Sequence, residues 1–416
     1  MEVDSVSTPG STNGEQVERA DLIVAVLAEL DDAGAAALTE GLRALSGSRR
    51  IVVTLRNGTA ILPRNNHLTV QTESRLAMVP WPALGLDVSG PPLPSISAGY
   101  QSIFAASVKL EAQSCCVIVS KLENENLQWV SKFVQPLLEG DYDLVAPYYA
   151  RPKLEGLLNG AIVSPLYRAL YGRSIQNPMG PDLAISQRLF QKVASADPNV
   201  PINRRIHPLA SLAPLAACGN LGVCQVHLGP RTYPPSDWTN ISSILVEVLG
   251  PIFVDMERNA VCWQRVRESL PVSVFGDPFD PPTEAGAVDI ERLVNSFQLG
   301  VRDLQEIWSL VLPPTSLFEL RRLARLPPEQ FAMPDELWVR VVYDFALAYR
   351  LRVVNHDHLL RSMTPLYLGW VASHARAIAD GGPEGIENRF ERLAIAYQTN
   401  KSYLVSRWRW PDRFNP

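Results

Sequence analysis

Cys115-Cys116-Val117-Ile118-Val119, followed by the polar segment Ser120-Lys121-Leu122-Glu123-Asn124-Glu125-Asn126, decides the fold. Five apolar residues in a row read as a strand buried on both faces. A helix over Leu127 to Leu138 follows and passes through Gly140 to a second apolar strand, Tyr142 to Tyr149. Strand, helix, strand implies a parallel pair joined by a right-handed crossover. Ligands of open α/β sheets bind beyond the carboxyl ends of the strands, which places Ser120 to Glu125 where chemistry is expected. Further on, Asn177-Pro178-Met179-Gly180-Pro181-Asp182 reads as a turn carrying one acidic side chain.

Outward from this stretch the pattern repeats. Asp21 to Leu30 carries a short apolar run suited to a buried strand, and Asp31 to Leu45 is an Ala/Leu-rich amphipathic helix. Arg50 to Leu55 is a second strand, closed by Asn57-Gly58. Ser74 to Pro80 is a weaker third strand, and Pro80 to Pro94 is too proline-rich for regular structure. Ser97 to Leu110 predicts a helix capped by Ser97 and buried through Ile103, Phe104 and Val108. Helices are predicted over Leu154 to Tyr171, Asp182 to Val193, Leu209 to Cys218 and Ser236 to Arg267, with a strand over Gly222 to Leu228.

The resulting fold class is α/β, a Rossmann-like, mostly parallel sheet followed by a mainly helical C-terminal region. Residues 1–18 are polar and predict a disordered tail, and residues 19–235 form the α/β domain. Residues 236–269 form a connecting helix. Residues 270–287 hold four prolines without periodicity and predict a linker. Residues 288–416 are helical, with spans Val288 to Leu312, Pro314 to Leu326, Pro334 to Arg352 and His356 to Ala379 and a further tail helix. Asp335 to Val354 is apolar almost all round, as in a helix buried within a bundle.

Composition narrows the function classes. A formal charge of -5 gives no electrostatic footprint for nucleic acid. No apolar run reaches bilayer length and no signal pattern opens the sequence, so a cytoplasmic protein without a transmembrane segment is expected. The five cysteines form no C-x-x-C pair; Cys115, Cys116 and Cys262 sit among apolar residues and predict buried thiols.

Three stretches carry a family resemblance: WVSKFVQPLLEGDYDLVAPYYARPK (129–153), SPLYRALYGRSIQNPMGPD (164–182) and LWVRVVYDFALAYRLRVVNHDHLLRSMTPLYLGWVASHA (337–375). Together with the order of elements they resemble family-2 glycosyltransferases of GT-A fold. The similarity is to the bacterial branch related to glucosyl-3-phosphoglycerate and mannosylglycerate synthases. In that family the strand ending at Val119 runs into an Asp-x-Asp motif, whose two carboxylates hold the Mn²⁺ or Mg²⁺ that neutralises the donor diphosphate. Here the matching positions read Val119-Ser120-Lys121. The resemblance therefore implies a degenerate motif with no metal cofactor, in which Lys121 either stands in as a fixed cation for a diphosphate or is a solvated strand-end lysine. Glu123 and Glu125 are spaced as a carboxylate pair but lie past the strand, in a polar turn.

The other family positions have drifted too. The first strand ends in Ala28-Glu29-Leu30-Asp31-Asp32, the second in Arg56-Asn57-Gly58-Thr59, and the loop before the next helix reads Ile96-Ser97-Ala98-Gly99. By resemblance, Glu29, Asp31, Asn57, Gly99 and Ser120 are the donor-binding positions, although Asp31 also suits a helix N-cap. The acceptor-side turn is Gly180-Pro181-Asp182, where Asp182 is either an acid–base or acceptor-hydroxyl residue or a first-turn acid on the helix predicted to follow. His207 and His227 read as structural histidines, and His356-Asp357-His358 as a helix start. Arg151-Pro152-Lys153 reads as a surface loop, and Arg407-Trp408-Arg409-Trp410 as a packed tail with exposed arginines rather than a membrane-binding patch.

Three function classes follow. The first is a glycosyltransferase-like protein without its metal-dependent catalytic set, acting as a binding subunit or as the partner of a catalytically intact relative. The second is an active, metal-independent transferase of a nucleotide sugar, with Lys121 and Asp182 as its catalytic residues. The third is a helical interaction module on an inert α/β scaffold.

Overall fold

A computed structural model describes residues 19–27, 34, 37, 38, 40–42, 49–55, 76–80, 95–120, 128–150, 154–194, 207–230, 240–279, 288–379 and 383–411. The chain forms two compact units, Met1–Ser131 and Lys132–Pro416.

The first unit is a parallel sheet. Its strands are β1 (Leu22–Val26), β2 (Ile51–Leu55), β3 (Leu76–Pro80) and, after helix α1 (Ser95–Lys109), β4 (Ser114–Ile118). They lie in the order β3-β2-β1-β4, all parallel, with Val24 opposite both Val53 and Cys116. Every residue of β1 and β4 is buried, which is why these strands read as unbroken apolar runs. Between β1 and β2 the described helical residues bury Leu38 and Leu42, one turn apart. Asp21 ties the layers together: its carboxylate accepts from the Arg50 N–H at 2.7 Å and its carbonyl from Ser114. Two details of α1 differ from expectation. The helix begins at Ser95, so Ser97 lies inside it rather than capping it. Val108 is 40% exposed, because the buried stripe runs through Tyr100, Ile103, Phe104 and Ser107 instead.

In the second unit β5 (Leu144–Ala150) follows α2 (Trp129–Glu139), whose residues from Lys132 onward belong to this unit. A π-helical turn (Asn159–Val163) leads into α3 (Ser164–Tyr171), which stops at Gly172 with φ +68°. Next come β6 (Leu183–Ser186), α4 (Gln187–Ala194), α5 (Pro208–Cys218), β7 (Val223–Pro230), α6 (Ile241–Arg258), α7 (Ala260–Trp263) and β8 (Ser273–Phe275). The order is β6-β5-β7-β8; β6 runs antiparallel to β5, while β5, β7 and β8 are parallel. Asp143, fully buried, pins the start of this sheet by accepting from Ser186 Oγ, from the Arg188 guanidinium and from the Gly222 N–H.

The helix predicted over Asp182 to Val193 is thus a strand followed by a shorter helix, since four residues, Leu-Ala-Ile-Ser, are too few for periodicity to tell the two apart. The stretch expected to be a structureless linker carries β8, a three-residue edge strand whose side chains are all exposed. The predicted 236–267 helix breaks at Asn259, where the turn lets the Trp263 indole reach the Met256 carbonyl at 2.8 Å. Cys262 is not a free thiol: α5 and α7 bring it to a Cα–Cα distance of 5.9 Å from Cys218, and the two form a disulfide. Cys115, Cys116 and Cys224 are free and buried.

The C-terminal region is helical. It comprises α8 (Ile290–Asp303), α9 (Gln305–Val311), α10 (Pro314–Leu323), α11 (Asp335–Leu351), α12 (His356–Ser362), α13 (Thr364–Ala377), α14 (Pro383–Thr399) and α15 (Lys401–Arg409). Two predicted spans are interrupted. The turn at Leu304 redirects α9 so that the Trp308 indole is buried and donates to the Ser362 carbonyl. Pro365 cannot donate a backbone bond and sits in the first turn of a new helix. As expected, α11 is buried nearly all round. It and α14 seat on the π-helical turn: the Trp338 indole of α11 and the Tyr397 hydroxyl of α14 both donate to the Ala161 carbonyl, at 3.0 and 2.9 Å. A Cβ on Gly160 would overlap the Phe390 ring, so only glycine fits beneath α14. Among the described residues no helix is long and apolar enough to cross a membrane.

Candidate functional site

The acidic residue of the acceptor-side turn is built into the second unit. Asp182 stands immediately before β6, is fully buried, and accepts a short hydrogen bond from the hydroxyl of Tyr149 near the end of β5. Because a strand follows it, Asp182 is not a first-turn acid on a helix. The turn that delivers it is fixed from three sides. Asn177 Nδ2 donates to the Pro147 carbonyl at 3.0 Å, and a Cβ at Gly180 would overlap the Pro147 ring, so the turn lies flat against β5. The buried Gln225 of β7 accepts from the Gln176 N–H at 2.6 Å and donates to the Ser174 carbonyl.

The carboxyl ends of β5 and β7 carry a second group of side chains. Their register shifts between Tyr148 and Tyr149, so that Tyr148 faces His227 but Tyr149 faces Gly229. This bulge is accommodated by Gly229 at φ +83°. The Tyr148 and His227 rings meet at a tilt of 52° with centroids 4.5 Å apart. Lys132 reaches the His227 carbonyl at 3.4 Å and lies 5.3 Å from the centre of the Phe279 ring. Burial lowers the His227 pKa, the Lys132 cation lowers it further, and Asp277 partly opposes both. The imidazole is therefore neutral at neutral pH. His207 is a structural residue: its Nδ1 accepts the Ala210 N–H at 3.3 Å and caps α5, with burial lowering its pKa.

The remaining predicted positions divide. Ser120, one residue beyond Val119 at the exit of β4, is buried at 8% exposure. Gly99 lies within α1, buried, with space for a Cβ at ordinary contact distance from Leu27. Both belong to the first unit, and Asp182 to the second. Lys121, Glu29, Asp31 and Asn57 lie outside the described residues, as do Glu123, Glu125 and the Arg151–Lys153 stretch. His356-Asp357-His358 does open a helix, with Asn355 accepting from the Asp357 and His358 N–H groups and His356 stacked on Tyr349.

The divalent cation used by the family that the sequence resembles fits poorly with the donor set at the exit of β4. A hard cation needs several oxygen ligands, with carboxylates among them to balance its charge. Val119-Ser120-Lys121 offers one buried hydroxyl and an ammonium. Among the described residues no three His, Cys, Asp or Glu side chains are grouped to hold a metal.

Tyr149, Asn177 and Gln225, which position Asp182, were not singled out by sequence. Asn177 lies in the Asn177–Asp182 turn, but its partner is a backbone carbonyl thirty residues away in sequence, which no local pattern encodes.

No family model and no curated protein matches the chain. Among solved structures it is similar to glucosyl-3-phosphoglycerate synthase from Mycobacterium tuberculosis. For the complex with Mn²⁺, UDP and glucosyl-3-phosphoglycerate the identity is 19% and the TM-score 0.37, over 61% of this chain and 86% of that one. For the complex with Mn²⁺, UDP-glucose and glycerol 3-phosphate the identity is 20% and the TM-score 0.38, over 66% of this chain and 96% of that one.

Proposed function

We propose that this chain is a GT-A-like protein of the family-2 glycosyltransferase type whose metal-dependent catalytic set has been replaced, and that it acts as a binding subunit partnering a catalytically intact relative. The reading rests chiefly on one observation. In sequence, strand β4 is followed by Val119-Ser120-Lys121, where a metal-assisted transferase needs two carboxylates. Without them, nothing at that position balances the charge of a divalent ion or, through it, the leaving diphosphate. Asp182 supports the same reading: its carboxylate is shielded from solvent and engaged by Tyr149, a geometry suited to holding a turn rather than to taking a proton from an acceptor hydroxyl.

The test is calorimetric and enzymatic. UDP-, GDP- and ADP-glucose are expected to show no turnover, and Mn²⁺ no additional rise in melting temperature in their presence, because any ligand bound only to the native state must stabilise it. A Mn²⁺-dependent rise or metal-dependent turnover overturns the proposal. Turnover without metal that is lost in Lys121→Ala would instead establish a metal-independent transferase.

A further inference from the structure

A cavity of about 530 Å³ opens between α2 and the β7–β8 edge of the second unit. Its volume falls in the range of small-molecule sites. It is not part of the Asp182 turn. Among the described residues its walls include none from the 174–182 turn: they run from Tyr142, just before β5, to Val226, which pairs with Pro147.

The walls are apolar and the two ends are charged. Tyr142 and Phe275 form an edge-to-face pair with centroids 5.6 Å apart at 79°, and Val226 forms the floor beside them. Phe275 is 42% exposed, so an aromatic ring on the cavity wall stands partly in water. Lys132 and Glu139 both line the cavity. They are seven residues apart on α2, two turns along one face, which places them roughly 10 Å apart. The Glu139 carboxylate is held by Gln135 Nε2 at 3.0 Å. Among the described residues the Lys132 ammonium donates one long bond, to the His227 carbonyl at 3.4 Å, and lies 5.3 Å from the Phe279 ring centre; an ammonium has three donors.

From this arrangement we infer that the cavity is a binding site for a small aromatic monoanion, its ring packed against Tyr142 and Phe275 and its anionic group on Lys132. A flat ring matches the aromatic wall, and the cation supplies a charge-assisted hydrogen bond in a partly desolvated site. Glu139 at the other end repels a second negative charge, so the site selects one anionic group over two.

The probe is 2-naphthoate, titrated calorimetrically into the full chain beside the neutral 2-naphthamide and the dianionic naphthalene-2,6-dicarboxylate. Naphthoate is expected to bind about tenfold more tightly than the amide, the order of one charge-assisted hydrogen bond, and more tightly than the dicarboxylate. Lys132→Gln, a change on a half-exposed helix face, is expected to abolish the preference for naphthoate over naphthamide while leaving the urea unfolding midpoint unchanged. Phe275→Thr, which keeps a strand-forming residue on an exposed edge, should weaken both ligands together. Equal affinity for naphthoate and naphthamide, no saturable heat from either at millimolar concentration, or a preference that survives Lys132→Gln overturns the inference.

Discussion

The Tyr149 hydroxyl donates to the Asp182 carboxylate, joining the end of β5 to the residue that opens β6. Both groups are buried, and this bond is one of the contacts that replace water for them. Removing the donor alone leaves a carboxylate in a desolvated position, whereas removing the negative charge as well relieves it. Tyr149→Phe is expected to cost about 1–3 kcal/mol of unfolding free energy in urea. Tyr149→Phe combined with Asp182→Asn should cost less than the sum of the two single changes, by about 1 kcal/mol. Additive losses would show that the pair is not coupled.

Asp255 on α6 gives the fold a pH dependence of known sign. Burial pushes its carboxyl up from 3.8 to about 6, against the opposing hydrogen bonds from Tyr171, Ser211 and Asn259 and the charge of Arg258; the Tyr171 hydroxyl lies at 2.7 Å. Between these two values the folded state holds the proton and the unfolded state does not. The stabilising contribution is therefore complete below 3.8 and is lost as pH rises through about 6. Asp255→Asn cannot ionise. Measured against the wild type, its unfolding free energy is expected to improve by up to about 3 kcal/mol between pH 4 and pH 7. A constant difference across that range would mean the carboxyl is not shifted.

How much of this was legible in the sequence depends on the range of the interaction concerned. The strands β1, β2, β4, β5 and β7 are apolar runs bounded by turns, and the local pattern suffices for them. Leu183–Ser186 and Ser273–Phe275 are too short to carry a period; what makes them strands is the neighbour each one pairs with, β5 and β7. Asp182 could be singled out as the acid of a turn, but not its partner Tyr149, which arrives on another strand. Cys262 was misread for the same reason, since an apolar neighbourhood describes its own segment and says nothing of Cys218 at the end of α5.

The disulfide closes a loop with a sequence separation of 44 between the ends of α5 and α7. On chain-entropy grounds a loop of that length stabilises the fold by about 3–4 kcal/mol. Cys218→Ser is expected to lower the urea midpoint as much as reduction by dithiothreitol does, and reduction should have no further effect on the variant. Thiol counting provides an independent check. Burial pushes the Cys115 and Cys224 thiols up to about 12, so neither is reactive in the native protein. Unfolding without reductant should release three thiols, and unfolding with it all five.

The Arg407-Trp408-Arg409-Trp410 tail separates a packing role from a surface role residue by residue. Arg407 is 5% exposed, with Nε 3.0 Å from Asp344 on α11, and Tyr403 donates to the same carboxylate. Trp408 is buried edge-on against Trp263, beneath the Arg350 guanidinium at 4.6 Å. Arg409 is exposed and bonds only the side chain of Gln264 among the contacts described, and Trp410 is 61% exposed. The expectation of a packed tail with exposed arginines therefore holds for Arg409 and fails for Arg407, whose charge is needed inside. Burial pushes the Asp344 carboxyl up to about 7 against the charges of Arg407 and Arg340 and the Tyr403 hydrogen bond, so Arg407→Ala removes the bonded one of two cations and is expected to cost about 1–3 kcal/mol. Arg409→Ala should stay within about 0.5 kcal/mol of the wild type, as exposed positions generally do. If the tail instead served a membrane surface, Arg409→Ala and Trp410→Ala would reduce sedimentation with anionic vesicles while leaving stability intact. Packing predicts the reverse ranking, with the inner pair dominating the urea midpoint and no vesicle binding to lose.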